Sequence, residues 1–338
     1  MRRNRSVLLA AAMTALLAPT ILAPTAAGAA PPQQEVEVEL LASGLAGPSG
    51  GAIGPDGALY VVEGAVGQIT RIDPGSGEAT TYASGLPPAV IGIGGAIDIV
   101  FRGNTAYVLV AIVGSNVGGD QIDGIYRVDD ADSFTVIADL GAWSAAHPPT
   151  TRFDLSEGVQ FALETSRSGF LVTDGHHNRV LNVSRSGAVS ELIQFENTVP
   201  TGLDVLGNTV YLAMAGAVPH APEDGTVEVF GLNDLSPSTV ASGYSLITDV
   251  ELGRCNALYA LSQGDSPGDV PAGSPALPES GELLVVNRDG TFSVVADGLN
   301  LPTSLHIAGD TAFVVSLSGD VLKISGLSGN CGQKVSRH

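Results

Sequence analysis

The sequence contains few cationic residues. It has 15 Lys and Arg against 35 Asp and Glu, so its formal net charge is −20. An acidic surface of this kind repels phosphate backbones and anionic lipid head groups, which argues against nucleic acid as a partner and favours cations or neutral and basic ligands. Charged residues of both signs make up only 15% of the chain and its mean hydropathy is positive, which excludes disorder for the bulk.

Cysteines and long apolar runs are also scarce. Neither Cys255 nor Cys331 belongs to a pair spaced for metal binding or redox chemistry. Residues 1–30 begin with a basic segment, continue with an apolar run at 7–17, and reach the small-x-small sequence Ala27-Gly28-Ala29. This pattern predicts a secretory signal peptide rather than a membrane anchor, because the run is short and followed by prolines. No later stretch is long enough to cross a bilayer, so we expect a secreted, extracellular protein with no transmembrane anchor.

Glycine, in contrast, is abundant at 43 residues, and it recurs at the strand starts and turns of a repeated pattern. Six segments share a Pro- or Gly-led strand, a tight turn, an aromatic–aliphatic strand and further strands. The turn of the first copy is Gly54-Pro55-Asp56-Gly57, in which proline presets φ and glycine accepts a positive φ. Equivalent positions of the six first strands are residues 50, 96, 158, 202, 249 and 304. Repeats of about 40 to 50 residues with four strands are typical of a β-propeller.

The two ends of the repeated region complement each other. The last copy lacks a fourth strand after Leu322, whereas residues 36–41 form a spare strand at the beginning. We therefore predict an all-β, six-bladed propeller over residues 31–326, closed by pairing residues 36–41 with 320–324 and followed by a C-terminal tail at 327–338. Closure removes two exposed sheet edges. The same map places Cys255 and Cys331 on one face in neighbouring blades, which predicts a disulfide in an exported chain; the alternative is two unrelated thiols.

Several phrases in the repeats are distinctive: Gly44-Leu45-Ala46-Gly47-Pro48, Thr198-Val199-Pro200-Thr201-Gly202-Leu203, and Val172-Thr173-Asp174-Gly175 leading to Asn178-Arg179-Val180-Leu181. Through them the chain from about residue 36 to 326 resembles the ScyD/ScyE family and, more broadly, NHL-repeat and gluconolactonase-like propellers. The resemblance implies a secreted propeller fold and no agreed reaction. Two repeats depart from the Pro-Asp-Gly turn, which Gly103-Asn104 and Gly207-Asn208 replace.

Long connections fall on one side of the predicted ring. They span residues 111–123, 139–156, 213–224 and 262–281, and each joins a second strand to a third or one blade to the next. We name this side the loop face, and the side with the first-to-second and third-to-fourth connections the turn face. Because binding residues concentrate on long loops of rigid scaffolds, we predict a ligand-binding loop face. Its candidate residues are Trp143, His147, Glu157, His176, His177, Asn178 and His220.

One segment of this face has two interpretations. In Asp174-Gly175-His176-His177-Asn178 the adjacent imidazoles suit a transition metal, whereas Asp and Asn also form turns through their own backbone. The turn interpretation is favoured. Trp143 is either a stacking platform for a ligand or a packing plug over its blade.

Polar residues recur at the middle of the first strands, where the channel of a propeller lies. The predicted channel column is Ala52, Asp98, Gln160, Asp204, Glu251 and His306. Carboxylates around one axis suit Ca²⁺ or another divalent cation, and the candidate ligands are Glu63, Asp98, Asp174, Asp204 and Glu251. The alternative is that channel polar groups bind water or neighbouring backbone. Gluconolactonase-like enzymes hold their ion with a first-blade Glu, and Ala52 departs from that pattern.

Three functions remain open at this point, one of which is a structural or assembly role beside an envelope pathway, at which the family name hints. The first is a binding or scaffold module that uses the loop face and the channel mouth for a small molecule, a glycan or an extracellular protein. The alternative is a divalent-metal-dependent hydrolase or lactonase of gluconolactonase-like type, with His306 as general base. Binding is favoured because no residue set has the tight spacing that identifies a reaction, and fold alone does not assign one.

Overall fold

A computed structural model describes residues 36–152, 154–268, 270 and 274–327, which form six four-stranded antiparallel sheets. The sheets follow the six predicted repeats and confirm the six-bladed propeller. Residues 1–30, predicted as a signal peptide, and Cys331 lie outside the described residues, so both the signal peptide and the disulfide stay predictions. In the described part of the chain, no helix is long and apolar enough to span a membrane.

The strands of blades 1 to 5 run in chain order from the channel outward. Blade 1 contains β2 (Pro48–Ile53), β3 (Leu59–Glu63), β4 (Gln68–Ile72) and β5 (Ala79–Ser84), and blade 2 contains β6 (Gly95–Arg102), β7 (Thr105–Ala111), β8 (Gly124–Asp130) and β9 (Ser133–Asp139). Blade 3 contains β10 (Gln160–Thr165), β11 (Gly169–Asp174), β12 (Arg179–Ser184) and β13 (Val189–Gln194), and blade 4 contains β14 (Pro200–Leu206), β15 (Thr209–Met214), β16 (Gly225–Gly231) and β17 (Asp234–Tyr244). Blade 5 contains β18 (Ile247–Leu252), β19 (Leu258–Ser262), β20 (Gly281–Val286) and β21 (Phe292–Leu299).

Blade 6 joins the two ends of the described chain. It contains β22 (Pro302–Ala308), β23 (Thr311–Ser316) and β24 (Val321–Ser325), and its outer strand is β1 (Glu37–Ala42). Val38 pairs with Ile324 and Leu40 with Leu322, and the Glu39 carboxylate lies 2.7 Å from Lys323 Nζ. The predicted closure of the ring is therefore confirmed, with the strand shifted by one residue at each end.

The core lies between neighbouring blades, because each blade buries both faces of its inner strands. The second strand of blade 1, β3, is buried along its whole length. Tyr60 on this strand contacts Phe101 of blade 2, with ring centroids 4.8 Å apart in an edge-to-face arrangement. Both belong to an apolar cluster that spans the two blades. Aliphatic residues on both sides of a strand are thus the signature of sheets that face a neighbour on each side.

Each inner strand has a bulge or register irregularity near its beginning, where it pairs with the second strand. In blade 3, β10 begins at Gln160, two residues after the equivalent position 158. Gly158 has φ +78° and lies in the turn before the strand. A β-carbon built on Gly158 would lie 2.4 Å from Asp174 Oδ1, so only glycine fits this turn.

The predicted long connections are confirmed at the predicted places in the topology. Residues 112–123 join β7 to β8, residues 215–224 join β15 to β16, and residues 263–280 join β19 to β20. The connection from blade 2 to blade 3 contains the short helix α1 (Leu140–Ala146), whose first turn is capped by the Asp139 side chain accepting from Ala142 N–H at 2.8 Å. All four therefore lie on the loop face.

Candidate functional site

The inner strands enclose a cavity of about 260 Å³ along the channel. Its lining includes four carboxyl groups and one imidazole, those of Asp98, Glu164, Asp249, Glu251 and His306. The lining reaches from Ser49, Phe161 and Thr303, near the beginnings of their inner strands, to Ile53, Thr165 and Ile307, at or near the ends before the first turns. The cavity therefore follows the inner strands along most of their length.

Two aspartates of the cavity join one blade to the next. Asp98 Oδ1 accepts a hydrogen bond from its neighbour Ile99 N–H at 2.8 Å, and Oδ2 accepts from Leu163 N–H of blade 3, also at 2.8 Å. Asp249 does the same in blade 5, since its Oδ2 accepts from Leu305 N–H of blade 6 at 2.8 Å. These N–H groups belong to inner strands that form one edge of their sheets, and the carboxylates accept hydrogen bonds from them.

Two more carboxyl groups make similar contacts one step nearer the turn face. Asp204 Oδ2 accepts from Leu252 N–H of blade 5 at 2.9 Å. Glu251 accepts a hydrogen bond from Ile307 N–H of blade 6. The channel carboxylates thus connect consecutive inner strands through hydrogen bonds. This supports the interpretation in which polar groups of the channel bind neighbouring backbone rather than a cation.

The residues predicted to form a single channel column lie at different depths. Four of them are opposite the aromatic side chain of the neighbouring second strand: Ala52, Asp204, Glu251 and His306. In blade 2 the residue opposite Tyr107 is Val100, so Asp98 lies one side-chain repeat nearer the loop face. Gln160 is opposite Asp174 at the beginning of β10. The single column is therefore corrected for Asp98 and Gln160, because the irregularities shift the register of each inner strand separately.

Burial and mutual repulsion govern the protonation of the cavity. Burial raises the pKa of Asp249 and of Glu164 to about 7, and the nearby Asp204 carboxylate adds to both shifts. Burial also raises the pKa of Asp98 and of Glu251 well above their usual values. No Lys or Arg lines the cavity to offset these charges. The site is therefore partly protonated near neutral pH and able to both donate and accept protons.

His306 lies in the same cavity beside a hydroxyl group. Its Nε2 is 2.7 Å from Ser304 Oγ, and Ser304 is also hydrogen-bonded to Asp249. Burial lowers the pKa of His306 to about 4, so the imidazole is neutral at physiological pH. The predicted general base is thus uncharged and faces the cavity, but the carboxylates around it disfavour an anionic transition state.

The loop-face histidine segment forms the turn that the sequence favoured, between β11 and β12. Asn178 has φ +54°, and its N–H donates to Gly175 O at 3.0 Å. His177 is fully buried, with Nε2 2.8 Å from Leu155 O and Nδ1 2.8 Å from Arg179 Nη2. His177 therefore points into the protein and is held by internal contacts.

Arg179 is the centre of this buried polar cluster, although no sequence pattern identified it as a site residue. It is 1% exposed, its Nε donates to Asp174 Oδ2 at 3.1 Å, and its Nη1 donates to His147 O at 2.7 Å. Its guanidinium lies 5.0 Å from the centroid of the Trp143 ring. The cluster pins helix α1 and the loop after it onto blade 3.

Trp143 is a packing residue rather than an open platform. Its ring stacks on His147, with centroids 4.4 Å apart and planes 13° apart, and it also contacts Arg179. It packs against the apolar cluster between blades 2 and 3. These contacts resolve the two interpretations of Trp143 in favour of the plug.

The other loop-face candidates are spread over separate loops. Glu157 Oε1 accepts from Ser115 Oγ at 2.6 Å, near Asp123, whose burial raises its pKa to about 6. His176 and His220 are half-buried, and burial lowers the pKa of both. Glu157 therefore braces the 112–123 loop, whereas the two histidines lie on other connections.

The predicted metal ligands do not converge. Glu63 belongs to blade 1, where it accepts from Ala46 N–H at 2.7 Å and from Gln68 Nε2 at 2.9 Å. Asp174 is held by Arg179 in blade 3. Within the residues that the structure describes, no three His, Cys, Asp or Glu side chains are grouped so as to hold a metal ion. A divalent cation in this protein stays a prediction.

Comparisons with known proteins show the fold alone. No protein-family model and no curated protein matches the sequence. A gluconolactonase from Xanthomonas campestris superposes with a TM-score of 0.59 at 12% identity, covering 86% of this chain and 89% of that one. Virginiamycin B lyase from Staphylococcus aureus gives 0.54 at 11% identity, covering 86% and 99%. The PQQ-bound aldose sugar dehydrogenase from Streptomyces coelicolor gives 0.54 at 13% identity, covering 88% and 99%. The chain is a six-bladed propeller similar to these lactonase and lyase folds, and no specific family follows.

Some site residues escaped the sequence prediction. Glu164 and Ser304 line the cavity, but they belong to strands with register shifts. Because of these shifts, simple alternation along the strand does not predict which side chains face the channel. A usable signal existed for Asp249, because Asp249 and Glu251 alternate along β18 and so point to the same side. Another signal is glycine on the preceding blade. A β-carbon on Gly202 would lie 2.0 Å from Asp249 Oδ1, so this glycine makes room for the carboxylate.

Proposed function

We propose that this chain is a secreted propeller of the ScyD/ScyE type that serves as a non-catalytic binding module. It acts through the loop face, on a partner outside the cell. The observation that carries the proposal is that the polar side chains expected to do chemistry are used inside the protein. Asp98, Asp204 and Asp249 hold the backbone of the next blade, and His177 is bonded to Leu155 and Arg179.

The competing function is a metal-dependent lactonase in the channel cavity. The carboxyl groups and the neutral His306 of the cavity favour it, as does the fold shared with a gluconolactonase. Against it, the carboxylates that would bind an ion already accept hydrogen bonds from backbone N–H groups.

A lactone assay separates the two functions. We expect glucono-1,5-lactone to hydrolyse no faster with the purified chain than in buffer, with or without Ca²⁺ or Mg²⁺. We also expect the melting temperature to be unchanged by a chelator. Saturable hydrolysis that is abolished by chelation and reduced by His306→Gln, but not by the exposed-site control Glu39→Gln, would overturn the proposal.

Secretion is tested separately. Expression of the full chain in an exporting host should release a protein into the medium whose N-terminus lies near residue 30. A product retained in the cell with Met1 in place would contradict this part of the proposal.

A further inference from the structure

The loop face carries a cluster of exposed aliphatic side chains that no internal contact explains. The cluster, here named the apolar patch, consists of residues that are each between 37% and 57% exposed: Val66, Val90, Ile91, Ile93 and Ile122. They belong to three connections, namely the β3–β4 turn, the crossing from blade 1 to blade 2, and the 112–123 loop. Exposed aliphatic residues grouped in this way mark interaction surfaces.

The three connections touch one another, so the patch is continuous. Ala89 N–H donates to Gly64 O at 2.9 Å, which joins the blade crossing to the β3–β4 turn. A β-carbon built on Gly119 would lie 2.9 Å from Val90 Cγ2, so the 112–123 loop packs directly on the blade crossing. Tyr126 Oη donates to Ile122 O at 2.9 Å and fixes the far end of that loop. These contacts fix the three connections that carry the aliphatic side chains against one another.

The charge around the patch restricts its partner. Residues 64–70, 79–97 and 103–119 contain no charged residue, in a chain whose formal net charge is −20. The border is acidic, with Asp120 exposed in the same loop, Asp139 beside the end of that loop, and Glu157 bonded to Ser115. No Lys or Arg occurs in residues 103–123. A complementary partner is therefore apolar at its centre and cationic at its edge.

The shape and composition of the patch favour a protein over a glycan. Sugars stack on aromatic rings, and none of the five patch residues is aromatic. Small-molecule sites are concave pockets, whereas these side chains project from loops. We propose that the apolar patch docks a protein segment whose aliphatic side chains cover Ile91, Ile93 and Val90, with flanking Lys or Arg beside Asp120 and Asp139. This inference rests on the proposed binding function and specifies its partner.

Two synthetic amphipathic helical peptides with the same leucine face test the proposal, one with lysine and one with glutamate on the polar face. Binding is measured by fluorescence anisotropy of the labelled peptide against the full secreted chain. We expect the lysine peptide to bind and the glutamate peptide not to bind. The double variant Ile91→Ser/Ile93→Ser should weaken binding about tenfold or more, because two buried contacts are lost.

The control variant is Leu235→Ser/Val294→Ser, which removes similarly exposed aliphatic side chains from the outer strands β17 and β21. It should bind within about twofold of wild type, and both variants should melt like wild type because the replaced side chains are exposed.

Equal affinities of the two variants for the lysine peptide would overturn the proposal, since binding would then reflect charge alone. So would a wild-type dimer that only the Ile91→Ser/Ile93→Ser variant dissociates, because the occupant would be a second copy. Either result leaves the lactone assay, and with it the proposed function, unaffected.

Discussion

At the scale of single residues, the fold depends on buried polar contacts with few substitutes. Arg179 is the clearest example, because its guanidinium bonds Asp174 and the carbonyl of His147 while covered by Trp143. Removing one partner of a buried ion pair leaves the other charged and desolvated. An exposed pair has no such penalty, because water replaces the lost partner.

We expect Arg179→Met to lower the free energy of unfolding by about 3 kcal/mol, because Asp174 would be left buried without its cation. The matched control is Arg71→Met, whose partner Asp56 is 2.7 Å away but 40% exposed. The control should change stability by about 1 kcal/mol or less. Urea unfolding of both variants measures the difference, and similar midpoints would show that the cluster around Arg179 is not a source of stability.

Glycines next to the blade-joining aspartates give a second prediction. Gly202→Ala places a β-carbon against the Asp249 carboxylate and should cost about 2 kcal/mol, because blades 4 and 5 must separate or the carboxylate must move. Gly92→Ala is the control, since a β-carbon there meets no atom within 4 Å. Thermal melts should show a clear loss for the first variant and none for the second. Unchanged stability of Gly202→Ala would mean that the Asp249 carboxylate can move aside at little cost.

At the scale of elements, the ring depends on the strand that joins its ends. β1 covers the edge of β24 with antiparallel pairing from Glu37 to Ala42. Without it the edge of β24 would offer unpaired N–H and C=O groups to other chains. The other outer strands each continue their own blade, whereas β1 is the outer strand that pairs residues from the two ends of the described chain.

Deleting residues 36–42 should therefore produce aggregation and a lower melting temperature, which light scattering and thermal melts measure. A control that shortens the chain only up to residue 33 should behave like the secreted protein. An additional comparison is Lys323→Glu, which places like charges opposite each other at Glu39 and should have a small effect, about 1 kcal/mol, at a partly exposed site. A shortened chain that stays monomeric and equally stable would contradict the role assigned to β1.

At the scale of the whole molecule, the acidic cavity should shape the dependence of stability on pH. Asp249 and Glu164, with pKa values raised to about 7 by burial, hold protons in the folded state that the unfolded chain has released. Stability therefore falls as the pH rises through this range. Below about pH 6.5 the lowered pKa values of His176, His220 and His306 oppose the trend, because the unfolded chain then binds more protons at these sites.

Between about pH 6.5 and about pH 8.5 we expect the free energy of unfolding to drop by about 2 kcal/mol. Glu251→Gln should flatten this slope, because it removes one of the mutually repelling carboxyl groups. Asp73→Asn is the control, since the pKa of this exposed carboxyl is lowered by hydrogen bonds from the Ser76 and Gly75 N–H groups and does not titrate in this window. Urea titrations across the range provide the measurement, and a stability that rises with pH would refute the assignment.

The sequence alone determined the architecture. Repeated Gly- and Pro-led strands, 44 to 62 residues apart, indicated six blades. The missing last strand together with residues 36–41 indicated how the blades close, as the pairing of β1 with β24 confirmed. These features are local or follow from strand counting, so they are readable without contacts between distant residues. The positions of the long loops on one face follow from the same counting.

Only the tertiary structure decided what the polar residues do. Asp98 looked like a metal ligand in the sequence, but its carboxylate bonds the backbone of Leu163 in the next blade. Arg179 looked like an ordinary strand residue, but Trp143 of helix α1 covers it. The physical reason is that strand irregularities reset the direction of each inner strand separately, and the partner of a buried charge comes from a segment far away in sequence. The periodicity of the sequence carries no information about the register of an inner strand or about the partner of a buried charge.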